Sequence, residues 1–208
     1  MKIKWGEIRD GGRRYNVPPT STLNVVRYDP ERGCGVEPMR WGLVPYWAVS
    51  PKFGYTTFNA RVESIEKSSS FKNAWRAGRR CLLPIDNFYE WRQSDKQPFA
   101  VGLSNRSTMT LACLWETWKR KEADEPLNSF TIITVPAKGA LGELHDRAPA
   151  IIGSEKWAAW LGEEPAARNE LLAMLQPIAA ERLKMWPVTK ALGNVGNEGS
   201  DLVEPIPL

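Results

Sequence analysis

The feature that most limits how this chain can fold is the brevity of its apolar stretches. Each is closed off within a few residues by Gly, Pro, Asn or Asp, and Val, Ile, Phe, Tyr and Thr recur inside them. Such runs suit strands of a β-rich unit and leave little room for long helices. Strands are predicted over 23–28, 39–43, 57–63, 81–85, 88–92, 99–103, 109–114, 130–135, 150–152 and 184–188. Helices are predicted over three segments. In 70–77, Phe71, Ala74 and Trp75 form an apolar stripe and Gly78 suits the C′ position. In 154–161, Ser154 is the expected N-cap, Glu155 sits in the first turn and Gly162 follows the end. In 165–175, Pro165 lies near the first turn and Pro177 beyond the last. Strands and helices interleave without a βαβ rhythm, so the expected class is α+β. With 208 residues, no internal repeat and prolines spread evenly, the chain reads as one domain over 1–208.

Several function classes fall away on composition. Hydrophobic residues make up 42% and charged residues 25%, which excludes a disordered or fibrous chain. No apolar run reaches the length of a membrane span, and the first residues carry no apolar segment of a secretory signal. A cytoplasmic protein with no membrane partner is the resulting expectation. The three cysteines are dispersed, no CxxC pair occurs, and His145 is the only histidine. A zinc site is not expected. Phosphate-loop, dinucleotide and nucleophile-elbow motifs are absent, so no cofactor is implied. The net charge of +4 is compatible with a polyanion partner or with solubility alone, and the ten tryptophans offer stacking faces as well as core. Cys81 and Cys113 are predicted core, Cys34 an exposed turn between two glycines, and 116–126 an exposed, charged hairpin loop.

Three polar clusters remain. In Asn59-Ala60-Arg61-Val62-Glu63, alternation on a strand puts Asn59, Arg61 and Glu63 on one face. They form either a polar site, with Arg61 able to grip a phosphate, or a solvated face with an Arg–Glu pair. In Asn87-Phe88-Tyr89-Glu90-Trp91-Arg92, Glu90 is either desolvated among aromatics, with its pKa raised toward general acid–base use, or an outward residue of an edge strand. In Leu144-His145-Asp146-Arg147-Ala148-Pro149, His145 and Arg147 point the same way if extended. A lone histidine is more often a surface or core residue than a catalyst.

Taken in order, these clusters resemble one family. The stretches are Arg14-Tyr15-Asn16-Val17-Pro18-Pro19, Arg40-Trp41-Gly42-Leu43-Val44-Pro45, Phe58 to Glu63, Arg80-Cys81-Leu82-Leu83-Pro84, Phe88-Tyr89-Glu90-Trp91, Leu144 to Pro149, Trp186-Pro187-Val188 and Gly193-Asn194-Val195. Together they are similar to the SOS response-associated peptidase (SRAP) family of abasic-site processing proteins. The resemblance implies a single α+β domain with a twisted β-barrel-like core, and a basic groove for single-stranded DNA containing abasic sites. It implies covalent capture of the opened sugar aldehyde by an N-terminal cysteine, whose amine and thiol close a thiazolidine ring. An α-amine suits this step because its pKa of roughly 7.7–8.0 leaves a share unprotonated at neutral pH. Asn59, Glu90 and His145 are the implied catalytic residues: Asn59 orients the reacting groups, Glu90 shuttles protons, and His145 contacts phosphate and assists proton transfer. Arg61 and Arg147 are implied phosphate contacts, and Pro19, Trp47 and Trp91 pack against bases or sugar. A monomer associated with the nucleoid when bound to DNA is expected.

The family begins Met-Cys-Gly-Arg or close to it, whereas this sequence begins Met1-Lys2-Ile3-Lys4. The expectation is that the recorded start is an internal methionine and that a Met-Cys segment precedes it. The alternative is a chain that lacks the cysteine and binds single-stranded DNA without stable covalent chemistry. A hydrolase, active at least in removing its own initiator residue, and a protein with a polar cleft for a small ligand are the other classes.

Overall fold

A computed structural model describes residues 12–119 and 125–208. Among the described residues, ten strands divide into two sheets. Strand β1 (Thr22–Asp29) forms an antiparallel hairpin with β2 (Gly33–Trp41). β1 also pairs with β4 (Arg80–Ile85), β4 with β7 (Met109–Trp118), and β7 with β8 (Leu127–Pro136), all antiparallel. β8 then returns to β2 in parallel, through Arg40↔Ser129 and Trp41↔Phe130, and closes a five-stranded barrel. The described structure is α+β, as the interleaved pattern predicts.

The strand sequences show why the barrel is filled and covered at once. Along β4, β7 and β8 both alternating sets are buried, as expected of strands covered on two sides. Val25, Met39, Cys81, Leu83, Leu111, Cys113, Phe130 and Ile132 come from all five barrel strands and form one cluster, which fills the barrel. Their neighbours Val26, Leu82, Leu114 and Ile133 join Trp75, Trp160 and Leu171 in a second cluster beneath the helices. Those helices are α1 (Lys72–Arg76), α3 (Trp157–Leu161) and α4 (Arg168–Met174). Gly78 and Gly162 terminate α1 and α3 with φ of 68° and 87°, the left-handed geometry their positions predict.

Two short strands extend β8 beyond the barrel: β3 (Asn59–Arg61), parallel to it, and β9 (Arg147–Pro149), antiparallel. The second sheet has the order β10 (Leu183–Pro187), β6 (Pro98–Leu103), β5 (Asn87–Trp91), so β5 is an edge strand. A further helix, α2 (Gly139–Leu144), delivers the chain to His145.

Several expectations need correction. Residue 116 belongs to a strand rather than a loop: Glu116 is 3% exposed, and its carboxylate accepts from Arg79 (2.5 Å), Asn73 (3.1 Å) and the Thr117 N–H (3.0 Å). These partners satisfy a buried charge that the sequence pattern alone assigns to solvent. The tip of that hairpin, 120–124, lies outside the described residues. Cys34 is buried in β2, because the turn falls before it, at 30–32. Ser154 opens a 3₁₀ turn whose cap is Gly153, and no side chain caps it. Pro165 precedes α4, whose start is secured by the Glu170 carboxylate accepting from the Ala167 N–H (2.5 Å). The strand predicted over 150–152 forms earlier, as β9, and leaves one bridge between Leu111 and Ile151.

Candidate active site

β3 and β9 both pair with β8 beyond the barrel, and Glu90 of β5 lies within electrostatic range of His145 at the α2–β9 corner. Glu90 projects from edge strand β5 opposite Phe99 of β6. Burial pushes its carboxyl up to about 7; the nearby His145 charge works against that rise, and the Asp146 carboxylate adds to it. The carboxylic acid of β5 and the imidazole of the α2–β9 corner therefore share one electrostatic environment. Of the two readings of Glu90 left open by the sequence, the structure combines elements of both: the strand is an edge, and the carboxyl is desolvated.

His145 ends α2 in an extended conformation, so its ring leaves the helix axis. Its Nδ1 lies 3.1 Å from both the N–H and the carbonyl oxygen of Arg147 and 3.5 Å from Asp146 Oδ1. A neutral ring with its proton on Nε2 accepts there from the Arg147 N–H, and one with its proton on Nδ1 donates to the Arg147 carbonyl. A protonated ring donates there to the Arg147 carbonyl, with Asp146 alongside. Both protonation states thus find a partner at Nδ1, while Nε2 makes no hydrogen bond with the described residues.

On β3, Asn59 and Arg61 are exposed and Ala60 is buried, the alternation the sequence predicts; Glu63, just past the strand, is also exposed. The ion pair of this face runs across to β9 and not along the strand. Arg147 Nη1 and Nη2 donate to Glu63 Oε1 and Oε2 at 2.8 and 2.9 Å, and Nη2 also donates to the Thr134 carbonyl at 2.6 Å. This fork holds the Glu63 carboxyl below the usual carboxylate range. Arg61 projects outward, whereas Arg147 is largely enclosed, with 14% of its side chain exposed.

The three candidates for packing against bases or sugar are placed differently. Trp91 is 38% exposed beside Glu90, on the alternate face of β5. Trp47 is 43% exposed and lines a cavity of about 480 Å³ with Tyr46, Ser69, Lys72, Asn73 and Arg76; none of Asn59, Glu90 and His145 lines it. Pro19 is partly buried and precedes Thr20, whose φ of 77° is a strained, left-handed conformation for a β-branched residue. The Thr20 N–H donates to the Trp41 carbonyl (2.7 Å), which fixes the corner at which the chain enters β1.

Sequence reasoning did not identify what anchors this corner. Tyr89 Oη donates to the Tyr15 carbonyl (2.7 Å), the Tyr15 N–H donates to Glu198 (2.9 Å), and Asn16 donates to the carbonyls of Leu192 and Asn194. The 14–16 segment is thereby clamped between β5 and the C-terminal 190–198 segment. The separations in sequence are too large for any local pattern to reveal these contacts. The cysteines offer no reactive thiol at the site. Cys34, Cys81 and Cys113 are all buried, burial pushes Cys34 up to about 11, and it raises Cys81 well above the ordinary thiol value.

Fold and site define a class: a closed five-stranded barrel with an appended sheet, whose junction carries a near-neutral carboxylic acid beside a backbone-clamped imidazole. The chain belongs to the SOS response associated peptidase (SRAP) family, whose family model matches residues 3–195. It is 32% identical to the abasic site processing protein YoqW of Bacillus subtilis over 193 residues, 91% of this chain and 85% of that one. It is 29% identical to the abasic site processing protein YedK of Escherichia coli, over 93% of this chain and 85% of the relative. Among solved structures, a protein from Bacteroides thetaiotaomicron superimposes with a TM-score of 0.79 at 21% identity, covering 90% of this chain and 82% of its own. One from Bordetella bronchiseptica gives 0.72 at 25% identity, covering 82% and 85%.

Proposed function

We propose that this protein is a DNA-processing enzyme that acts on abasic sites in single-stranded DNA. The juxtaposition of Glu90 and His145 carries the reading. A carboxyl titrating at about 7 exists in both forms at neutral pH, as a group must that first gives and then takes a proton. An abasic sugar opens to an aldehyde when its C1′–O4′ bond breaks, the ring oxygen gaining a proton and the C1′ hydroxyl losing one. An amine then adds to the carbonyl carbon, and the resulting carbinolamine loses water to give an imine. Glu90 as the acid supplies the proton for ring opening and for departure of water, and as the carboxylate accepts the proton lost by the amine. His145, free at Nε2, exchanges protons with the same group and faces the phosphate. Asn59 orients the sugar. Outward-facing Arg61 is the better phosphate ligand, since the Arg147 fork is already engaged.

Stable capture needs an amine and a thiol on one residue, which close a thiazolidine on the aldehyde carbon. The burial of all three cysteines favours a second reading: binding of single-stranded DNA without stable covalent chemistry. The test mixes the 208-residue chain, and the same chain with an added Met-Cys start, with an abasic single-stranded oligonucleotide. The expected result is salt-sensitive binding by both, and a band stable in a denaturing gel only for the Met-Cys form after loss of its methionine. Failure of both forms to bind at low salt refutes the proposal. A stable adduct from the unmodified chain refutes the second reading.

A further inference from the structure

We propose that Glu63 and Arg147 form a positioning strut for His145: the ion pair fixes the Arg147 peptide, and that peptide holds Nδ1 of the imidazole. The geometry is specific at every link. The fork of Arg147 meets both oxygens of Glu63 at 2.8 and 2.9 Å, a planar match that a lysine cannot make. The same guanidinium is tied to the Thr134 carbonyl at 2.6 Å, opposite Arg61 in the β3–β8 register. It adopts this position although its Nε is buried without a partner among the described residues, an orphan donor that a solvent-facing arginine would avoid. The N–H and carbonyl of the same residue then hold His145 Nδ1, each at 3.1 Å. Glu63 is 55% exposed at its side chain, and an ion pair this open contributes little to stability. Its consequence is orientation. It links β3, which carries Asn59 and Arg61, to the corner that carries His145, and it leaves Nε2 as the nitrogen that exchanges protons. Arg147 and Glu63 are thus positioning residues for His145.

The single histidine makes the strut measurable without DNA. In the full chain labelled with ¹⁵N, the two ring nitrogens report which one carries the proton. In the parent protein the two nitrogens are expected at distinct shifts set by the Arg147 peptide, whose N–H and carbonyl both lie 3.1 Å from Nδ1 while Nε2 has no partner among the described residues. Glu63→Gln and Arg147→Lys should each move the two nitrogen shifts toward those of a free imidazole. Asp95→Asn, which breaks an exposed pair with Arg92, should leave the nitrogen shifts unchanged. The role in the reaction rests on the abasic-site reading and is tested separately, in the Met-Cys form. There Glu63→Gln should slow capture at saturating DNA on the order of tenfold, part of the ~10²–10⁴ that a placed proton-transfer group contributes, with DNA affinity unchanged. The strut is refuted if both variants keep the parent's nitrogen shifts. It is refuted equally if Glu63→Gln tightens DNA binding with those shifts unchanged, for Glu63 would then only be occupying a phosphate site. Because the spectra need no DNA, failure of the abasic-site chemistry and failure of the strut are separate results.

Discussion

Replacing Glu90 with Gln should change how the stability of this protein depends on pH. The carboxyl has a reference value of 4.5 and is pushed up to about 7 in the folded state by burial. Between those values the folded state holds a proton that the unfolded state has released. Its contribution is therefore fully present below about 4.5 and is lost as pH rises through about 7. At about 1.4 kcal/mol per pH unit the full displacement corresponds to about 3 kcal/mol, and partial contact with solvent brings this to about 2–3 kcal/mol. Glutamine keeps the shape and removes the titration. Measured by urea unfolding at pH 5, 6, 7 and 8, the Gln variant should gain about 2–3 kcal/mol relative to the parent across the series, or about 5–10 °C in melting temperature for a chain of this size. Groups remote from the site titrate alike in both proteins, so the difference reports this carboxyl together with its coupling to His145. A difference that stays constant within about 0.5 kcal/mol would show that Glu90 is solvated in the folded protein, and the proton-transfer role assigned to it would go with it.

Arg79→Ala should cost about 3–5 kcal/mol in unfolding free energy, because it strands the buried Glu116 carboxylate; Arg79→Ala with Glu116→Gln should recover much of that loss, and an equal loss in both would refute the pairing argument. Cys34, Cys81 and Cys113 should resist a thiol reagent in the native protein and react together in urea; rapid labelling of any one under native conditions would contradict their burial and reopen the search for a nucleophile.

Much of the framework is legible in the residues themselves. The alternation of Asn59, Ala60 and Arg61 predicts which side chains leave the sheet, and Gly78 and Gly162 mark the helix ends where left-handed backbone is needed. Errors arose where partners are remote. Glu116 reads as a solvated charge until Arg79 and Asn73, roughly forty positions away in the chain, arrive to satisfy it. Cys34 reads as a turn because two glycines flank it, yet the hairpin register places it under the helical layer.

What the sequence determined unaided is local. It set strand propensity, the helix stops, and an ordered series of short motifs specific enough to indicate a family. What only the tertiary structure decided is proximity. β8 returns to β2 and closes the barrel, β9 and β3 extend β8 beyond it, and by that route an arginine at 147 reaches a glutamate at 63, while the second sheet brings the carboxyl at position 90 within electrostatic range of the imidazole at 145. Periodicity specifies which face of a strand a side chain occupies, but the identity of the group it meets is fixed by strand pairing, and pairing depends on the burial of the whole chain at once.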